Sequence, residues 1–66
     1  MKLLRATRRT SGTLVFINLD HIAAIQQEIA ETLHYTAIIL YNGREIDVSE
    51  TIEELLQPAE TNIVQL

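Results

Sequence analysis

Residues 18–33 read "NLDHIAAIQQEIAETL", and whether they coil or extend decides the fold. As a helix, Leu19, Ile22, Ile25 (or Gln26), Ile29 and Leu33 step by three or four. Asn18 or Asp20 then stands as the N-cap, and Ala, Gln and Glu are good helix formers. As a strand, Ala23, Ile25, Gln27 and Ile29 alternate onto one face. Locally the helical pattern is the stronger, so the flanking sequence must arbitrate.

The C-terminal side is the clearer one. "YTAIILYNGREIDVSE" (35–50) sets Asn42-Gly43 between two β-prone runs. Asn-Gly favours a tight hairpin of type I′, which needs positive φ at both central residues. Tyr35, Ala37, Ile39 and Tyr41 fall on one face, with Thr36, Ile38 and Leu40 on the other. Ile46 and Val48 alternate with Glu45 and Asp47, which predicts a strand with one wet face. Ser49 can cap a short helix over about 50–57, and Thr51 with Glu54 offers a capping box two residues later. Ile52, Leu55 and Leu56 form its apolar stripe, and Pro58 ends it. Residues 58–66 are a tail or an edge strand.

On the N-terminal side, residues 2–8 make a short strand and Thr10-Ser11-Gly12 a turn. "TLVFIN" (13–18) is β-branched, aromatic and apolar on both faces, as a central strand is.

The order of these signals carries a resemblance. It runs from Gly12 to Ile17-Asn18, through Leu19-Asp20-His21-Ile22 and an apolar run, to Thr36–Gly43, Ile46–Glu50 and Glu53–Leu55. It resembles the small flagellar and swarming motility proteins of the FlbD (SwrD) type. It is also similar to the C-terminal part of LytTR domains, where a like segment leads into a strand. The resemblance implies a short turn at "LDHI", a strand over about 22–29, and a protein that acts by contact with other proteins. The chain departs from it by several extra residues between Ile25 and Thr36, which either lengthen a hairpin or add a helical turn. "TRRTSGTLVFI" (8–17 with its leading threonine) is similar to the opening of carbon storage regulators over about a dozen residues only, and LytTR domains bind DNA, but this chain lacks the N-terminal part of that domain.

The 66 residues make one domain, with a core at about 3–57. A domain this small is marginally stable. Hydrophobic residues make up 47%, enough for a core and against disorder. There is no cysteine, so no disulfide or thiolate site forms, in keeping with a reducing cytoplasm. Apolar runs such as Leu14–Ile17 fall far short of the roughly 20 residues a bilayer-spanning helix needs, and we read neither an export signal nor membrane insertion.

The net charge of −4 is unevenly placed. Lys2, Arg5, Arg8 and Arg9 open the chain, while all nine acids lie from Asp20 onward against Arg44 alone. These four cations are the candidate contacts for an anion or nucleic acid. The plainer reading puts them on the solvent face of the first strand, paired with acids on its neighbour. An acidic body repels a phosphate backbone, and no aromatic platform accompanies the basic head.

No catalytic constellation is expected. His21 and His34 are too few for a zinc site, and the serines and glycines sit at turns rather than in a nucleophile elbow or phosphate loop. Asp20, Glu28, Asp47 and Glu50 read as surface acids in a chain too small to offer a cleft. The sequence therefore predicts a mainly β, small α+β fold: an antiparallel sheet of four to five strands and a short C-terminal helix. Its expected role is non-enzymatic, without cofactor or metal, through homo-oligomers or another protein. A nucleic-acid-binding regulator is the competing expectation.

Overall fold

A computed structural model describes residues 1–56 and 62–66. Its elements are β1 (Lys2–Thr7), β2 (Leu14–Asn18), a 3₁₀ turn (Leu19–His21), β3 (Ile22–Ala30), β4 (Leu33–Leu40), β5 (Glu45–Val48), α1 (Ile52–Leu56) and β6 (Ile63–Gln65). The strands form two antiparallel three-stranded sheets, ordered β2-β1-β6 and β3-β4-β5.

Residues 18–33 are thus a turn followed by most of a hairpin. The Asn18 side chain accepts a hydrogen bond from the Asp20 backbone N–H at 2.9 Å, which caps the turn and swings the chain away from β2. β3 then pairs with β4 along its whole length, from Ile22↔Leu40 to Ala30↔Leu33, with a register shift between Ile22 and Ala24. The residues beyond Ile25 lengthen this hairpin. At its tip Glu31 takes φ 58, a conformation costing a non-glycine residue about 1 kcal/mol. The helical spacing of Leu19–Leu33 loses to the ladder because every β3 residue except Ala23, at the register shift, gains a cross-strand partner on β4.

Three expectations need correcting. The sheet is two sheets, because β2 and β3 do not pair after the capped turn. Six strands are described rather than four to five, because the tail finds the free edge of β1 through Lys2↔Gln65, Leu3↔Val64 and Leu4↔Ile63. The loop joining β4 to β5 is not a two-residue type I′ turn. Leu40 N–H donates to Arg44 O at 2.8 Å and Gly43 N–H to Leu40 O at 2.9 Å, so residues 41–43 make a three-residue loop. Gly43 lies at φ 88, and Asn42 is not at positive φ. That is the geometry of a turn closed by a left-handed residue. A Cβ at Gly43 meets nothing within 4 Å, so only backbone strain opposes substitution. Gly43→Val should therefore cost about 1–2 kcal/mol in urea denaturation. A variant as stable as the parent would contradict this loop.

The helix starts later than Ser49 allows. Thr51 N–H donates to Glu54 Oε1 (3.0 Å), and Glu54 N–H to Thr51 Oγ1 (3.2 Å), a reciprocal cap. Ser49 and Glu50 are used elsewhere: Ser49 N–H donates to Thr7 O, and the Glu50 carboxylate accepts from Thr7 N–H (2.9 Å) and Thr7 Oγ1 (2.8 Å). Gln57 and Pro58, the expected helix end, lie outside the described residues.

The core lies between the two sheets. Leu4, Ala6, Ile17, Ile38, Val48 and Leu55 are buried together, with Val15, Leu19, Ile22, Ile25, Leu40, Ile46 and Ile63 packed around them. Thr36 is fully buried, and its hydroxyl donates to Glu50 O at 2.6 Å. An Arg8↔Val48 bridge and an Arg9 N–H to Asp47 O bond tie the end of β1 to β5.

Candidate interaction surface

Strand alternation sorts β1 into two faces. Leu4 and Ala6 point into the core, whereas Leu3, Arg5 and Thr7 point outward. The register places Asn18, Phe16 and Leu14 of β2 opposite these three, and Val64 of β6 opposite Leu3. Met1 and Leu66 exchange backbone hydrogen bonds (2.8 and 3.2 Å), extending the β1–β6 ladder by one pair on the same face. The outer face of the sheet thus carries Met1, Leu3, Leu14, Phe16, Val64 and Leu66. Phe16 is 51% exposed and Leu14 60%. Arg5, opposite Phe16, is the one charged side chain that the three strands put on this face, and the Glu50 carboxylate meets the face at its Thr7 end. Being apolar on both faces, "TLVFIN" has the pattern of a central strand. It is an edge strand, and among the described residues Leu14 and Phe16 on its second apolar face stay exposed.

The four cations of the basic head do not converge. Lys2 shares the parity of Leu4 and Ala6, and Arg5 the opposite one. Lys2 and Arg8 stand about 20 Å apart along the strand. Arg8 is exposed beside Val48. Arg9 lies over the Tyr35 ring, 4.1 Å from its centroid, a cation–π contact. Among the described residues the expected pairing with acids on a neighbouring strand is not seen, and β2 and β6 carry no acid.

Three of the nine acids, Glu28, Glu45 and Asp47, gather instead on the outer face of the second sheet. Glu45 and Asp47 share one face of β5, and Ala37, which pairs with Asp47, also pairs with Gln26, two residues from Glu28. The Asp47 carboxylate, hydrogen-bonding and repelling, raises the Glu45 pKa above its ordinary 4.5, and desolvation and Glu28 add to the rise. Asp47 Oδ1 is a buried acceptor without a donor among the described residues. Ionising Glu45 is therefore harder in the folded chain than in the unfolded one. This stabilisation is complete below the ordinary value and is lost as pH rises through the elevated one. Glu45→Gln should accordingly raise Tm at neutral pH and give no advantage below about pH 4. An equal gain at both values would contradict the carboxyl pair.

Two shallow depressions also mark the surface of the described residues. One of about 230 Å³ is lined by His21, Leu40, Tyr41 and Asn42. The other, about 530 Å³, is lined by Gln27, His34, Thr51, Ile52 and Glu53. The two histidines stand in different depressions, and among the described residues no group of three or more His, Asp or Glu side chains is placed to hold a metal ion. No helix among them is long and apolar enough to cross a membrane. Comparison with family models, curated proteins and solved structures gives no match.

Proposed function

We propose that the chain is a non-enzymatic protein-interaction module of the FlbD (SwrD) kind, docking a partner protein on the outer face of the β2-β1-β6 sheet. The observation that carries this reading is the uncovered row of Leu14 and Phe16 beside Met1, Leu3, Val64 and Leu66. Contiguous apolar surface on a small domain marks an interaction site. Arg5 sets the chemistry of the occupant: an apolar strand or helix that brings one carboxylate to the guanidinium. The dispersal of the four cations and the acidic face around Glu45 weigh against nucleic acid as the partner.

The test is a photo-crosslinking residue placed at 16, with one at 45 on the acidic face as control, in the cells that make the protein. The reading predicts a discrete foreign adduct from position 16, lost on Arg5→Glu in a chain that keeps its circular dichroism. No foreign adduct at 16, or the same adduct from 45, would overturn it.

A further inference from the structure

We infer that a second copy of this chain pairs antiparallel along the free edge of β2, joining two three-stranded sheets into one of six strands. The inference rests on the same sheet as the docking reading, but on its edge rather than its face. β2 stands at the end of the order β2-β1-β6. Arg8 N–H donates to Thr13 O at 2.8 Å. In the register that continues from this bond, Val15 and Ile17 turn their backbone groups toward β1. Leu14, Phe16 and Asn18 then turn theirs away from it, toward the open edge.

Monomeric proteins blunt such edges with charge, proline, a bulge or short length. The other strand edges carry these devices. β3 has a register shift and Glu28. β5 has Glu45 and Asp47 and is bound by the Arg8–Arg9 segment. β6 has three residues. β2, Leu-Val-Phe-Ile-Asn, has no charge and no proline, and its pairing with β1 is regular over all five positions.

An antiparallel strand paired with itself about its centre is self-complementary, as a two-fold axis requires. With the axis at Phe16, the two Phe16 residues face each other and each Leu14 faces the partner's Asn18. Across the joined sheet the order runs Arg5, Phe16, the partner's Phe16, the partner's Arg5. The two guanidinium groups are three strand spacings apart, about 14 Å, beyond the roughly 8–10 Å screening length. A chain of net charge −4 repels its copies, but this edge presents no acid.

Sedimentation of the purified chain at micromolar concentration, at about 0.05 M and about 0.5 M salt, decides the matter, because screening weakens charge contacts and spares backbone pairing. The wild type should be a dimer in both. Leu14→Thr, which keeps the edge N–H, should remain one. Leu14→Pro removes that N–H at the first residue of an edge strand, where proline is tolerated. Phe16→Lys sets two charges face to face. Each should raise the dimer Kd at least about tenfold while far-UV circular dichroism stays that of the wild type. If Leu14→Pro fails to fold, Phe16→Lys carries the test. The Phe16 amide should also gain hydrogen-exchange protection with rising concentration. A wild-type monomer in both salts, a dimer untouched by both Leu14→Pro and Phe16→Lys, or dissociation at high salt alone would overturn the edge pairing. A monomer that still gives foreign adducts from position 16 overturns the pairing and leaves the docking reading standing. A dimer without foreign adducts does the reverse.

Discussion

Leu55→Ala is expected to leave a large fraction of the chain unfolded at room temperature. Leu55 is fully buried and is the one side chain of α1 in the core cluster, beside Leu4, Ile38 and Val48. Truncating a buried leucine costs about 2–5 kcal/mol, through lost transfer energy and the cavity left behind. At about 0.05–0.15 kcal/mol per residue, a domain of this size holds roughly 3–10 kcal/mol in all. The neighbouring Leu56 is 53% exposed, so Leu56→Ala should change stability by no more than about 0.5 kcal/mol. Urea midpoints of the two variants, measured side by side, check the placement of the helix. Equal losses would mean that α1 presents a different face.

Glu50→Ala is the second large effect. The Glu50 carboxylate is the partner of both Thr7 N–H and Thr7 Oγ1 and so links the end of β1 to the segment leading into α1. Alanine leaves both donors without this acceptor in a half-buried setting, a loss of about 1.5–3 kcal/mol for bonds to a charged group. Glu50→Gln keeps one acceptor oxygen for the N–H and should lose about half as much. The Thr7 amide is the specific reporter: its hydrogen exchange should accelerate in Glu50→Ala more than that of Leu4 in the same strand. A variant with wild-type stability would remove this clamp from the account.

The sequence discloses the second sheet better than the first. Alternation at Thr36, Ile38 and Leu40 and at Ile46 and Val48 is a local signal, and both strands lie as it predicts. Gly43 marks the loop between them, but its closing bonds depend on Leu40 and Arg44, which the dipeptide does not specify. Glu31 at positive φ has no signature at all, since Glu-Thr is not a turn pair. The tail Ile63–Gln65 becomes a strand because β1, sixty residues earlier, has an edge to offer. The site follows the same rule. That Leu14–Ile17 is apolar on both faces is plain in the sequence, but which face stays uncovered is decided by where α1 and the second sheet pack. The parity of Lys2 against Arg5 is legible once β1 is a strand. The seating of Arg9 over Tyr35 requires the fold.

Every surface described above depends on residues 18–33 being turn and strand. A helix there would lie across a sheet, cover apolar surface and remove both the long hairpin and its partners on β4. Backbone chemical shifts of the purified chain test this directly. The account predicts β-type shifts from Ala23 through Ala30, cross-strand contacts between Gln26 and Ala37, and helical shifts at Ile52–Leu56. Consecutive helical shifts from Asp20 through Thr32 would contradict it.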